Sequence, residues 1–274
     1  RYPENSLEAI VSAAKTGIDA VLADVSVTSD GIPVLMEASS AGRMLDGAEK
    51  DAVSEYSFSE LSSFYLKNRT GGVNNETTAY RVATLREALQ TAEEKSIYLV
   101  LKTDADSLDT VIRETEKTSY TAVTYYITGK TKAVKQALQS CSSPQRSILT
   151  EKRGNIVFLQ TAFIDFVSEY NADGVILKTT NRYGVNFNQT VLKHFYGKTR
   201  AGADTSDSVL AGAREDTEKW WDDLVSRGYS VIITNDAQGF AEYRKNNKAA
   251  REKLQEICSV TGGMMTTDAS LLSA

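Results

Sequence analysis

Residues 84–127 decide the fold, and they read TLREALQTAEEKSIYLVLKTDADSLDTVIRETEKTSYTAVTYYI. Apolar residues recur at helical spacing over 84–95 and 107–118, and two short apolar runs, 97–102 and 122–127, follow these segments. Such alternation predicts a parallel sheet with helices outside it, because parallel strands need long crossover connections. The sequence therefore indicates an α/β protein.

The same alternation extends in both directions along the chain. Parallel strands are predicted at 20–25, 97–102, 122–127, 146–150, 174–178, 199–205 and 230–234, and further helices at 7–16, 130–140, 155–169, 188–196 and 213–227. A closed TIM (β/α)8 barrel needs eight strands, one more than these seven. Since the first visible element is a helix, we expect the eighth strand upstream of Arg1. The predicted domains are a barrel over 1–238 and a C-terminal helix and tail over 239–274, with the helix at 239–253.

Two segments depart from this alternation. The runs 20–25 and 32–36 are joined by the turn Ser29-Asp30-Gly31, which is too short for a parallel crossover and therefore predicts a hairpin. The inserted region 38–82 is polar and shows little periodicity apart from a predicted helix over Phe58 to Leu66. Its aromatic residues suit either a functional lid or a satellite cluster, and both interpretations stay open: Tyr56, Phe58, Phe64, Tyr65 and Tyr80.

The composition excludes several classes of function. The 274 residues carry 31 basic and 36 acidic side chains, for a net charge of −5. Without a Lys/Arg-rich block, this balance argues against binding to nucleic acid, which depends on neutralising phosphates. No run of about 18 apolar residues is present, so no membrane span is predicted in this chain. Sequons at Asn68, Asn75 and Asn188 slightly favour a secreted or extracellular protein.

Few residues suited to redox or imidazole chemistry are present. The single histidine, His194, excludes mechanisms that need two imidazoles from this chain, and its predicted helix is typical of a surface or structural residue. Cys141 and Cys258 lack metal-site spacing, so two free thiols and one bridge both stay open. In the outer helix that contains Trp220-Trp221, we expect one ring to pack and the other to be exposed.

Four motifs resemble those of the glycerophosphodiester phosphodiesterases. Residues 3–9 read PENSLEA, like P-E-N-T-L-x-A, and residues 24–34 read DVSVTSDGIPV, like D-V-x-x-T-x-D-G-x-P-V. Residues 84–89 read TLREAL, like T-L-x-E-x-L, and residues 232–236 read IITND, like the closing I-I-T-D/N strand. The resemblance implies a TIM barrel of the PLC-like phosphodiesterase type.

The resemblance also implies a site. In that family, Ca²⁺ or Mg²⁺ is held by an E-x-D on the second strand and by the Glu of an E-x-K on the third. Two histidines, one in an upstream H-R-G and one in an H-D after P-V, serve as general acid and base. Here E-x-D becomes Leu22-Ala23-Asp24, E-x-K becomes Val100-Leu101-Lys102, and H-D becomes Glu37-Ala38.

The candidate site residues are therefore Asp24 as a remaining metal ligand, Lys102 as a ligand-binding cation and Glu37 at the position of a catalytic histidine. We interpret the chain as a degenerate, non-hydrolytic member that serves as a binding, scaffold or structural module, with no cofactor expected. Its partner would be a protein, a second copy of the chain or a phosphodiester. The alternative is an active phosphoric diester hydrolase of lipid metabolism that uses Ca²⁺ or Mg²⁺ with altered ligands.

Two further points stay open at this stage. Asp24 and Lys102 either contact a ligand or pair with each other. Asp104 and Asp106 follow the strand that contains Lys102 and could replace the missing metal ligands, although Asp106-Ser107 is more typical of a helix cap.

Overall fold

The computed structural model of the protein describes residues 2–140, 147–153, 172–178, 200–205 and 217–261. Two compact units are distinguished by their internal contacts: residues 2–15 with 20–140, and residues 16–19 with the described residues from 147 onwards. The predicted helices at 155–169 and 188–196, together with His194, Cys141 and the tail from 262, lie outside the described residues.

The first unit contains a sheet in the order β2-β1-β3-β4, formed by Ala20–Val27 (β1), Pro33–Leu35 (β2), Tyr98–Asp104 (β3) and Val123–Thr128 (β4). Strand β3 is parallel to both β1 and β4, and β2 is antiparallel to β1 with Val25 opposite Leu35. The predicted hairpin and the predicted parallel strands of this segment are confirmed.

The helices of the first unit are Leu7–Ala14 (α1), Ala41–Met44 (α2), Phe58–Leu61 (α3), Leu85–Lys95 (α4), Leu108–Glu116 (α5) and Thr131–Ser140 (α6). Local chemistry sets the start of α4, where Thr84 Oγ1 accepts from the Glu87 N–H at 3.2 Å and the Glu87 carboxylate accepts from the Thr84 N–H at 2.8 Å. The stripe Leu85, Ala88, Leu89 and Ala92 is buried, which is the pattern that predicted this helix.

Region 38–82 forms a small core of its own with β2. Its buried members come from the hairpin, the short helices and the returning chain: Val34, Met36, Ala41, Met44, Leu45, Val53, Tyr56, Leu61, Leu66 and Val82. Phe58, Phe64 and Tyr80 pack against this core while still partly exposed. Tyr56, Phe58, Phe64 and Tyr80 therefore belong to a satellite cluster, whereas Tyr65 is 43% exposed and its ring packs against the Arg81 guanidinium.

The helix predicted over Phe58 to Leu66 is wrong in its extent, because α3 ends at Leu61. Beyond it, the Leu66 N–H donates to the Tyr80 carbonyl at 2.8 Å, and Leu66 forms an antiparallel bridge with Leu45. These non-local pairings need an extended chain, so tertiary contacts override the local helical pattern.

The second unit contains the parallel strands Ser147–Arg153 (β5), Gly174–Lys178 (β6), Arg200–Asp204 (β7) and Val231–Ile233 (β8), paired in that order. The sequence places each of them within a few residues of its observed bounds. A helix at Glu218–Arg227 (α7) lies between β7 and β8, and two helices follow β8 at Ala237–Asn246 (α8) and Lys248–Thr261 (α9).

The two adjacent tryptophans correct one prediction. Trp220 and Trp221 are each only 3% exposed, so neither ring lies in solvent. The Trp221 ring meets Phe240 edge-on at 5.1 Å and lies 5.7 Å from Tyr243. Both of these partners belong to α8, which covers a side of α7 that helical periodicity alone assigns to solvent.

The single helix predicted at 239–253 is also wrong, since the chain forms α8 and α9 with a break at Asn247, where φ is −98° and ψ is 94°. Asn247 Oδ1 then accepts from the Ala250 N–H at 3.0 Å and caps the second helix. Among the described helices, none has both the length and the apolarity needed to cross a bilayer.

Candidate functional site

Asp24 and Lys102 lie side by side on the sheet of the first unit, because the register of β1 and β3 places them opposite each other. Lys102 Nζ donates to Asp24 Oδ1 at 2.7 Å, and 26% of the lysine side chain and 21% of the aspartate side chain are exposed. They stand towards the carboxyl ends of parallel strands, where barrel enzymes place their sites. Two sequence-predicted site residues are thus joined in an ion pair.

Asn5 holds the carboxylate of Asp24 from the other side. Its Oδ1 accepts from the Asp24 N–H at 2.8 Å, and its Nδ2 donates to Asp24 Oδ2 at 3.3 Å. Asn5 adopts a left-handed backbone with φ of 54°, a conformation that asparagine tolerates better than most residues. The turn is closed by Ser6, which donates to the Pro3 carbonyl at 2.9 Å and caps α1 through the Ala9 N–H at 3.1 Å.

Aliphatic side chains accompany Asp24 and Lys102 on the same face of the sheet. Leu22 and Val100 precede them by two residues, are also register partners and are half-buried. A hard cation such as Ca²⁺ takes about six to eight oxygen ligands, which these two side chains cannot supply. Within the described ranges, no three His, Cys, Asp or Glu side chains gather closely enough to hold a metal ion.

Glu37 follows β2 and pairs with an arginine of the inserted region. Arg43 Nη2 lies 3.2 Å from Glu37 Oε2 and 2.6 Å from Glu4 Oε1, and Arg43 Nη1 also donates to the Thr70 carbonyl. The exposed fractions of the side chains are 50% for Glu37, 36% for Arg43 and 27% for Glu4. The position of the family histidine thus holds a carboxylate that contacts a cation.

The charge of Arg43 is stabilised by these contacts. Burial of the guanidinium opposes the charged form, but hydrogen bonding and charge from Glu4, together with Glu37, outweigh it and raise the pKa of Arg43 above its ordinary value. Its main chain is held by the Gly72 N–H, which donates to the Arg43 carbonyl at 2.7 Å. Arg43 therefore has a charged side chain with two carboxylate partners and a main chain held by a hydrogen bond.

The ion pairs of Arg43 are linked to the ion pair of Asp24 and Lys102 through adjacent residues, because Glu4 contacts Arg43 and Asn5 contacts Asp24. Sequence reasoning did not assign Glu4, Asn5 or Arg43 to the site. The P-E-N motif was the available signal for the first two. No signal pointed to Arg43, which lies in a polar stretch without periodicity.

Asp104 and Asp106 behave differently from each other. Asp104 Oδ1 accepts from the Ser107 N–H at 2.7 Å and so closes the turn before α5. Asp106 is exposed, and Ser107 makes no side-chain cap. The cap predicted at Asp106-Ser107 is therefore wrong, because the turn after β3 brings the Asp104 side chain to the helix start instead.

Comparison with known proteins gives a consistent picture. A model of the glycerophosphoryl diester phosphodiesterase family matches residues 1–180. Glycerophosphodiester phosphodiesterase 1 of Rattus norvegicus is 37% identical over 87 residues, and that of Mus musculus is 36% identical over 87 residues. The matched part covers 32% of this chain but only 25% of the length of each of these relatives.

Solved structures are similar over most of the chain. A glycerophosphoryl diester phosphodiesterase from Parabacteroides distasonis aligns with a TM-score of 0.66 at 18% identity, over 89% of this chain and 81% of that one. A phosphodiesterase from Oleispira antarctica, solved with the product sn-glycerol-3-phosphate, aligns with a TM-score of 0.64 at 15% identity, over 94% and 92% of the two chains. These likenesses show the predicted fold, a TIM barrel of the PLC-like phosphodiesterase type.

Proposed function

Since the chain belongs to the glycerophosphoryl diester phosphodiesterase family, we propose that it binds a glycerophosphodiester but does not catalyse its metal-dependent hydrolysis. One observation carries the proposal: Asp24 Oδ1 lies 2.7 Å from Lys102 Nζ, with the aliphatic Leu22 and Val100 beside them. Leu22 and Val100 occupy the positions of two carboxylates in the family's motifs, so Asp24 keeps its ammonium partner but lacks these two carboxylates.

The chemistry of the described groups supports a function without metal-dependent hydrolysis. A metal ion acts as a Lewis acid on the phosphoryl oxygens and stabilises the leaving alkoxide. The Lys102 ammonium neutralises charge and donates hydrogen bonds, but it does not supply Lewis acidity. Glu37 lies in place of an imidazole and is held by Arg43 at 3.2 Å, so it is a weak candidate for moving protons near neutral pH.

The binding of a phosphodiester is supported by two cations in this part of the first unit. Lys102 and Arg43 both contact carboxylates there, and such cations bind phosphate oxygens strongly through charge-assisted hydrogen bonds. The structure of the Oleispira antarctica phosphodiesterase holds sn-glycerol-3-phosphate. A glycerol phosphate group is therefore our proposed ligand class for this chain.

The proposal is tested by calorimetry and a turnover assay on one preparation. Glycerophosphocholine is titrated in EDTA, then Ca²⁺ and Mg²⁺ are titrated alone, and choline release is followed with each metal present. We expect binding of glycerophosphocholine in EDTA, loss of that binding in Lys102→Met, and no choline release. Lys132→Met, a charge change at an exposed site, is the matched control and should bind normally.

Two outcomes would overturn this proposal. If glycerophosphocholine does not bind, the binding function is wrong. If choline is released in a metal-dependent reaction that Asp24→Ala abolishes, the chain is an active phosphoric diester hydrolase.

A further inference from the structure

The carboxylates around Arg43 and Lys102 outnumber the cations. Glu4, Asp24 and Glu37 carry three negative charges, against the two positive charges of Arg43 and Lys102. An anionic ligand brought to this cluster meets a net negative charge and cations that already have partners. A ligand phosphate that contacts either cation therefore competes with a carboxylate already bound there.

Of the three carboxylates, that of Glu37 is the easiest to displace. It is the most exposed, at 50%, and its contact with Arg43, at 3.2 Å, is the longest of the three ion pairs. Glu4 is 27% exposed and lies 2.6 Å from the same guanidinium, while Asp24 is 21% exposed and is also held by Asn5. Ion pairs between exposed side chains contribute little to stability, because water competes for both partners.

Arg43 itself stays in place when a partner leaves. Its helix is anchored by Met44 and Ala41, which are 1% and 0% exposed. The Lys67 N–H donates to the Met44 carbonyl and the Gly72 N–H to the Arg43 carbonyl, each at 2.7 Å. The main chain that carries Arg43 is therefore held independently of the Glu37 contact.

We propose that Arg43 binds the phosphate oxygens of the ligand and that Glu37 is an intramolecular competitor, which must leave Arg43 before the phosphodiester binds. Guanidinium groups suit this exchange because their planar array of donors matches phosphate as well as carboxylate. The inference rests on the proposed function, since it assigns a further binding residue and a competing group to the same site.

The test compares glycerophosphocholine affinities by calorimetry in EDTA. Glu37→Gln keeps the size of the side chain but removes its charge, and we expect it to bind about two- to fivefold tighter, the range given by an exposed ion pair. Glu49→Gln makes the same charge change at an exposed position of the same region and should bind like the wild type. Arg43→Met should bind at least about tenfold more weakly, as expected when a charge-assisted contact is lost.

A double variant separates competition from a simple change in net charge. In the Arg43→Met background, Glu37→Gln should bring no gain in affinity for glycerophosphocholine. The guanidinium for which Glu37 and the ligand compete is then absent. Thermal unfolding of each variant verifies that it is folded. Should Arg43→Met prove unfolded, the Glu37→Gln and Glu49→Gln pair still decides the question.

The outcomes distinguish this inference from the function on which it rests. If the wild type binds and Glu37→Gln binds equally or more weakly, or if the gain persists without Arg43, the competition is disproved while the binding function stands. If neither the wild type nor Glu37→Gln binds glycerophosphocholine, both proposals fail.

Discussion

Asn5 and Asp24 are joined by two hydrogen bonds in opposite directions: Asp24 donates its N–H to Asn5 Oδ1 at 2.8 Å, and Asn5 Nδ2 donates to Asp24 Oδ2 at 3.3 Å. The pair connects the turn before the first helix to the strand that carries the candidate site. It thereby orients one carboxylate oxygen towards Asn5 and the other towards Lys102.

Replacing Asn5 should separate hydrogen bonding from backbone strain. Asn5→Gly keeps the left-handed backbone but loses both hydrogen bonds, and we expect a loss of about 1–2 kcal/mol in the free energy of unfolding. Asn5→Ala loses the same bonds and adds about 1 kcal/mol, because alanine disfavours φ near 54°. Urea unfolding measures both values. Equal losses in the two variants would show that the turn relaxes out of the left-handed region.

The ion pair of Asp24 and Lys102 should show coupling between its members. Each is about three-quarters buried, so removing one leaves a charge that is partly desolvated and without its partner. We expect Asp24→Asn and Lys102→Met each to lower the free energy of unfolding by about 1–3 kcal/mol. The double variant should lose less than the sum of the two. Additive losses in urea unfolding would mean that the pair contributes nothing.

Two neighbouring glycines offer a matched comparison. Gly71 and Gly72 both have positive φ, 68° and 88°, but a Cβ on Gly71 would collide with the Arg43 carbonyl, whereas one on Gly72 meets open space. We expect Gly72→Ala to cost about 1 kcal/mol from strain alone. Gly71→Ala should cost about 2–4 kcal/mol, because overpacking adds to the same strain, and it should also weaken glycerophosphocholine binding. The prediction fails if thermal unfolding shows the two variants to be equally stable.

Glu114 should contribute to the acid sensitivity of the fold. Its hydrogen bond from Lys117, with a further contribution from Arg86, lowers the pKa of Glu114 below its ordinary value of 4.5. A carboxyl with a lowered folded pKa stabilises the protein above its unfolded pKa and loses that effect as the pH falls through the folded pKa. The free energy of unfolding of the wild type should therefore exceed that of Glu114→Gln by about 0.5–1 kcal/mol at pH 7. The difference should vanish once the pH lies well below 4.5, and a gap that persists in acid, measured by urea unfolding, contradicts the assignment.

The sequence predicted local structure in the first unit better than it predicted contacts between distant residues. The capping pair of Thr84 and Glu87 and the apolar stripe behind it located α4 within a residue, because both signals act within one helix. The burial of Trp221 depends in part on α8, and the end of α3 depends on the pairing of Leu66 with Tyr80. Those contacts are set by tertiary structure, which a periodic pattern does not encode.

In the candidate site, too, some residues were predicted from the sequence and others were missed. Asp24 and Lys102 were found because residues 22–24 and 100–102 resemble the family's E-x-D and E-x-K, and their pairing was one of two readings left open. Arg43 was missed because its side chain reaches Glu4 from 39 positions away in the sequence. Nothing local to the segment around Arg43 indicates that contact.

The core formed by region 38–82 also has a mechanical consequence. Because Val34 and Met36 of the hairpin are buried in the same cluster as Leu45 and Leu61, swinging the region away would expose several large apolar side chains at about 1.5–3 kcal/mol each. At that cost the open form would hold fewer than about one molecule in a thousand, since each 1.4 kcal/mol is about a factor of ten in an equilibrium. Region 38–82 therefore stays packed on the hairpin, and a ligand must reach Arg43 with this core intact.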